Sequence, residues 1–165
     1  MLGIQVIGIG GLLGKALFKF FNEQKHIVFG TSHQKHLTNP SKISYLDLLS
    51  PNFEFLPAIA SEVQFSILCS SETNIDKCKT AAEISESLNV THTIQLLENL
   101  WANNITPVFI SSDAVFDGQT GNYNEDDTCR PITEYGRQKR RVEEFLIASN
   151  KPWLIVRLCK VFDVN

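Results

Sequence analysis

The stretch Gly8-Ile9-Gly10-Gly11-Leu12-Leu13-Gly14 joins an apolar run, Ile4–Ile9, to a helical pattern, Leu12–Gln24. No other feature constrains the fold as much. Gly8, Gly11 and Gly14 give the spacing G-x-x-G-x-x-G at the first strand–helix junction. A chain that turns sharply there can bring its backbone against a pyrophosphate and pack the helix close to the sheet. The helix start then offers N–H groups to the phosphates. Gly8, Gly11, Leu12, Leu13 and Gly14 are therefore candidate cofactor contacts.

The rest of the chain repeats this alternation. Apolar runs at Ile27–Gly30, Ile43–Leu46, Phe65–Cys69, Pro107–Ser111 and Trp153–Leu158 read as strands. Helical patterns cover Ala81–Trp101 and Tyr135–Ala148. The strand runs are nearly continuous rather than alternating, as a parallel sheet covered on both faces requires. The expected fold is α/β, a doubly wound parallel sheet of the Rossmann NAD(P)-binding kind, in one domain over residues 1–165.

About 20 residues past the glycines, a site for NAD usually carries an acid for the ribose hydroxyls. Here the sequence is Gly30-Thr31-Ser32-His33-Gln34-Lys35-His36, with no acid. Thr31, Ser32 and His33 are candidate contacts for a 2′-phosphate, so NADP(H) is favoured over NAD(H).

Tyr135 and Lys139 stand four residues apart, on one face of a helix. A neighbouring cation favours the phenolate, so the tyrosine is expected to titrate below its usual value near 10. That would suit it to proton transfer. Ser112 follows the fifth strand, at the sheet edge where such folds bind ligands, and its hydroxyl can hold a carbonyl oxygen beside the phenol. Ser112, Tyr135 and Lys139 are the candidate catalytic residues. The basic run Arg137, Lys139, Arg140, Arg141 is followed by Glu143 and Glu144 and reads as a solvated helix face.

Other functions are disfavoured. A net charge of −3 argues against nucleic-acid or membrane-surface partners. Cysteines at 69, 78, 129 and 159 form no zinc template, the histidines no H-E-x-x-H, and no metal is expected. Reduced thiols suit a cytoplasmic protein. No apolar run approaches the roughly 18 residues of a membrane span.

Three segments together resemble the dTDP-4-dehydrorhamnose reductase-like family of extended short-chain dehydrogenase/reductases. They are Gly8-x-x-Gly11-x-x-Gly14, Ile110-Ser111-Ser112-Asp113-Ala114-Val115-Phe116-Asp117-Gly118, and Pro131-x-x-x-Tyr135-Gly136-x-x-Lys139-x-x-x-Glu143. Thr73–Lys77 and Leu88-Asn89-Val90 also fit. The resemblance implies reduction of a 4-keto nucleotide sugar with NADPH by a Ser112–Tyr135–Lys139 triad. It implies cofactor contacts from Asp47, near the adenine, Leu48, Cys69, Ser70 and Ser71, and a helper role for Asn89. Helices 81–101 and 135–148 can supply a homodimer face.

There are departures. Ser112 stands where the family often has threonine. Glu72 and Ala114 replace usual aromatic residues, which bears on substrate recognition. The family's C-terminal substrate-binding subdomain is absent from these 165 residues, so apolar surface is expected to be exposed near Ser112 and Tyr135. Two readings stand: a keto-sugar reductase, or a non-catalytic nucleotide-binding or regulatory module of the same fold, as in the regulatory subunit of methionine adenosyltransferase.

Overall fold

The computed structural model describes residues 1–39 and 41–162. Six strands form one parallel sheet: β1 (Gly3–Ile7), β2 (Ile27–Ser32), β3 (Ile43–Tyr45), β4 (Phe65–Leu68), β5 (Thr106–Ser112) and β6 (Leu154–Leu158). Their order is β3-β2-β1-β4-β5-β6, the doubly wound Rossmann arrangement. The order reverses between β1 and β4, and this switch point is where such sheets open a ligand crevice.

The helices are α1 (Leu12–Glu23), the short α2 (Leu56–Ile59), α3 (Ile75–Thr80), α4 (Ala82–Glu86), α5 (His92–Ala102) and α6 (Glu134–Ala148). The expected helix 81–101 is α4 and α5 joined through a π-helical turn, Ser87–Thr91. β2 runs two residues beyond the expected end at Gly30, because Thr31 pairs with Ile7 and Ser32 with Tyr45. β1 ends at Ile7, two residues early, because the chain is already turning at Gly8.

The two faces are unequally filled. On one, Leu96, Leu97, Leu100, Val142 and Leu146 from α5 and α6 pack with Leu56, Ile7, Leu68 and Phe109 in the main core. On the other, α1 brings Leu17, Phe18 and Phe21 against Ile4, Val6, Ile9 and Ile67. β6 is an edge strand, and Leu154 on it is 52% exposed. Ile75, Ile132, Val161 and Phe162 are exposed as well. Asp163–Asn165 lie outside the described residues.

The basic run on α6 is not one solvated face. Arg137 and Arg141 are exposed, but Lys139 is buried and Arg140 half-buried, because α6 turns that side towards β5. Among the described residues, no helix is long and apolar enough to cross a membrane.

Candidate active site

β1 delivers the chain into a turn at Gly8, where φ is +88°. A Cβ there would meet Ser70 Oγ at 2.2 Å. The turn is held by backbone: Gly8 and Ile9 N–H donate to the Thr31 carbonyl at 3.2 and 2.9 Å. Gly8 N–H also reaches Thr31 Oγ1 at 3.2 Å. Gly14 passes so near that a Cβ on it would lie 2.2 Å from the Gly8 carbonyl oxygen. Gly11, in extended backbone, precedes α1, and no side chain closes the helix's first turn. Its leading N–H groups are thereby available to an anion.

A cleft of about 700 Å³ runs from Gly11, Leu12 and Leu13 past Cys69 and Ser71 to Ser112, Tyr135 and Lys139. It thus joins the helix N-terminus to all three candidate catalytic residues. Leu158, Cys159, Lys160 and Val161 form another wall, with Thr73, Ile75, Asp113 and Ala114.

The three catalytic candidates are placed by capping and burial. Ser112 ends β5 and its Oγ accepts from Ala114 N–H at 3.1 Å while donating to Asp113 Oδ1 at 3.0 Å. Thr133 caps α6 by accepting from Gly136 N–H at 3.0 Å, which sets Tyr135 in the first turn. One turn on, Lys139 is buried, and its Nζ donates to the Ile110 carbonyl at 2.9 Å. That ammonium lies 5.7 Å from the Tyr135 ring centre and 4.8 Å from that of Phe109.

The lowered tyrosine expected from the Tyr–Lys spacing is not found. Burial raises the Tyr135 phenol above its usual value, against a smaller opposing effect of the Ser112 hydroxyl. Burial also brings Lys139 down to about 8, partly offset by the Glu143 carboxylate one turn on. Spacing along a helix sets proximity, but desolvation of both groups sets their protonation. Cys69, facing the cleft, is pushed up to about 12 by burial and stays a thiol.

The other candidates lie away from the cleft wall. Thr31 and Ser32 are buried in β2. Thr31 holds the glycine loop, and Ser32 Oγ accepts from Gln34 N–H at 3.0 Å. A Cβ on Gly10 would lie 3.8 Å from Ser32 Oγ, so this hydroxyl faces the loop. His33 is exposed just beyond. Asp47 Oδ1 accepts from Leu49 N–H at 2.9 Å, and Leu48 is buried in the main core.

Asn89 lies inside the π-helical turn, a distortion often found at functional sites. Its Oδ1 accepts from Ser71 Oγ at 2.9 Å and Glu72 N–H at 2.8 Å. Its Nδ2 donates to the Glu72 carbonyl at 2.9 Å and Gln138 Oε1 at 2.8 Å. Gln138, on α6 beside Lys139, donates in turn to Ser85 Oγ at 2.9 Å. This buried network ties the segment after β4 to α6. Sequence reasoning missed Gln138, whose only local signal was its place inside the Tyr–Lys spacing. The Glu72 carboxylate turns outward to Asn74 N–H at 3.0 Å and Lys77 Nζ at 3.7 Å, and does not line the cleft.

The sequence pattern of the RmlD substrate binding domain matches residues 2–165. A probable low-salt glycan biosynthesis reductase Agl14 of Haloferax volcanii is 32% identical, covering 97% of this chain and 54% of that protein. Methionine adenosyltransferase 2 subunit beta of Xenopus tropicalis is 27% identical, covering 93% and 45%. Among solved structures, a hypothetical dTDP-4-dehydrorhamnose reductase from Sulfolobus tokodaii superposes with a TM-score of 0.80 at 28% identity, covering 98% and 57%. The Bacillus anthracis dTDP-4-dehydrorhamnose reductase in complex with NADP gives 0.78 at 22%, covering 99% and 57%. MoeE5 in complex with UDP-glucose and NAD gives 0.76 at 21%, covering 95% and 52%. The chain thus spans about half the length of the relatives it matches.

Proposed function

This chain belongs to the RmlD substrate binding domain family, and on that premise we propose that it forms the cofactor-binding portion of an NADP(H)-dependent reductase of a keto nucleotide sugar. The observation that carries the reading is the single cleft joining the uncapped start of α1 to Ser112, Tyr135 and Lys139. The fit to a dinucleotide is physical. A Cβ on Gly11 would occupy open space, with only the Gly8 carbonyl oxygen near it at 3.7 Å. That open space before free helix N–H groups suits a pyrophosphate. Ser32, whose hydroxyl faces the loop at Gly10, and the exposed His33 offer hydrogen-bond donors to a 2′-phosphate, and residues 30–36 carry no carboxylate.

When bound, the reduced nicotinamide supplies the hydride to the keto carbon. The residues of this chain handle position and proton. The Ser112 hydroxyl, turning its single proton from Asp113 Oδ1, donates to the keto oxygen. The Tyr135 phenol, kept protonated by burial, gives its proton to that oxygen as negative charge develops on it. Lys139, largely cationic at neutral pH with a value of about 8, supports the phenolate left behind.

Tyr135→Phe should lower the rate of NADPH oxidation with dTDP-4-dehydrorhamnose by about 10²–10⁴-fold. NADPH affinity, read by fluorescence titration, should stay within a few-fold. Turnover that survived would reject the assignment. In the same titration NADPH should bind about tenfold more tightly than NADH, the size of one charge-assisted contact. Equal affinities would reject the reading of Ser32 and His33.

A second reading, a regulatory module without catalysis, is favoured by the similarity to methionine adenosyltransferase 2 subunit beta. Clear turnover would remove it. The proposal extends to a homodimer through α4, α5 and α6, where Ile84 and Ile147 are exposed; a monomer by sedimentation would remove that extension.

A further inference from the structure

We infer that Glu143 is a positioning residue whose buried carboxylate clamps β5, β6 and α6 together directly behind Ser112, Tyr135 and Lys139. The inference rests on the reading of those three as the reacting groups. Glu143 follows Lys139 by one helical turn and is fully buried. Its Oε1 accepts from Ser111 Oγ at 2.6 Å and Arg157 Nε at 2.9 Å. Its Oε2 accepts from Arg157 Nη2 at 2.9 Å and Arg140 Nη1 at 3.2 Å.

Ser111 and Arg157 are register partners on β5 and β6, so one carboxylate holds both strands. Lys139 grips the Ile110 carbonyl, Glu143 grips Ser111, and Ser112 is the next residue. Two side chains one turn apart on α6 therefore fix its axial position against two successive residues of β5, immediately before Ser112. That position decides where the phenol and the ammonium stand relative to the serine hydroxyl.

The arrangement extends into the loop between β5 and α6. Arg157 Nη1 donates to the Glu125 carbonyl at 3.1 Å, and its guanidinium lies 5.1 Å from the Phe116 ring centre. Phe116 stacks on Tyr123 at 4.4 Å. Burial works against the Glu143 charge, but hydrogen bonds from Arg157 and Ser111 outweigh it and hold the carboxyl below its usual range. Apolar packing of the same volume often stabilises a fold as well as a buried ion pair does. What a bidentate, directional pair adds is geometry.

Lys139 faces Cys69 just past β4, Cys78 from α3, Phe109 and Ile110 from β5, and Tyr135 and Glu143 on α6. The test compares wild type with Ser111→Ala, Glu143→Asp and Glu143→Gln in the whole chain. An NMR titration follows the Lys139 ammonium, and thermal melting and NADPH titration are run alongside. Glu143→Gln should move the Lys139 midpoint downward, because a supporting negative charge is gone. Glu143→Asp keeps the charge but shortens the reach. It should hold the midpoint near that of wild type, yet lose kcat with dTDP-4-dehydrorhamnose by about tenfold, with KM for NADPH little changed. Ser111→Ala, which leaves the ion pair intact, should fold normally and lose kcat by a few-fold. A purely structural role would lower the melting temperature and leave the midpoint and the kcat-to-KM balance alone. Wild-type kcat in Glu143→Asp or Ser111→Ala would overturn the inference, as would an unchanged midpoint in Glu143→Gln. Should wild type itself show no turnover, the reductase reading fails, and the Glu143→Gln midpoint alone decides whether the clamp acts on Lys139.

Discussion

The two sides of the cleft are built from different materials. Around the glycine loop, the contacts are chiefly backbone to backbone, Gly8 and Ile9 N–H on the Thr31 carbonyl, with the Thr31 hydroxyl beside it and α1 starting uncapped. Around β5 and α6, side chains do the holding: Thr133 caps α6, Ser112 caps the turn after β5, and Lys139, Glu143 and Arg157 bridge helix to strands. The difference follows from what each side would handle. A phosphate needs bare N–H groups and no side chain in its way, whereas proton transfer needs a hydroxyl, a phenol and an ammonium held at fixed separations.

Adding atoms should therefore harm the first side and removing them the second. The largest effect is expected for Gly14→Ala. Its Cβ would sit 2.2 Å from the backbone oxygen of Gly8, which cannot swing aside. A loss of about 3 kcal/mol or more is expected, read as a fall in denaturant midpoint together with loss of NADPH binding. A stable Gly14→Ala protein that binds NADPH would break the comparison.

Next in size is the pH dependence of Lys139. Its value falls from 10.5 to about 8 on folding. Between those values the unfolded chain binds more protons than the native one, so this group's destabilisation is present below pH 8 and fades as pH rises towards 10.5. Lys139→Met should be the more stable protein at pH 7, by about 3 kcal/mol from the size of that shift. The advantage should shrink steadily to pH 10.5 in parallel denaturant titrations. A pH-independent difference would mean that the ammonium is not desolvated by the fold.

Thr133→Ala removes the side-chain cap of α6 and should cost about 1 kcal/mol, seen as a fall of roughly 2–4 °C in melting temperature. The smallest expected change is in stability for Gly11→Ser, which supplies α1 with the cap it lacks. Stability should rise by a few tenths of a kcal/mol, while NADPH affinity falls because the new side chain fills the space before the helix N–H groups. Tighter NADPH binding in that variant would reverse the assignment of the first side.

Much was readable from the chain alone. The glycine spacing, the alternation of strand-like and helical runs and the four-residue Tyr–Lys interval are local patterns, and local patterns translate directly into backbone turns, sheet faces and helix faces. They located the Rossmann sheet, the glycine loop, and Ser112, Tyr135 and Lys139 on one cleft. Long-range packing supplied the rest. Thr31 read as a loop hydroxyl and is a buried strap on the loop, because β2 pairs on both sides as far as Ser32. Glu143 read as part of a solvated helix face and Gln138 drew no reading; both are fully buried, because β5 and the π-helical turn close over that side of α6.

The sequence by itself determined which residues could turn, pair and meet along one helix, since those relations span a few residues of a chain with fixed geometry. Only the tertiary structure decided their charge and their exact separations. Tyr135 is raised rather than lowered, Lys139 is drawn towards neutrality, and one carboxylate joins two strands 46 residues apart in register to a helix, as Ser111 and Arg157 are. Desolvation and cross-strand hydrogen bonding depend on what lies within a few ångströms in space, and distance along the chain does not encode that.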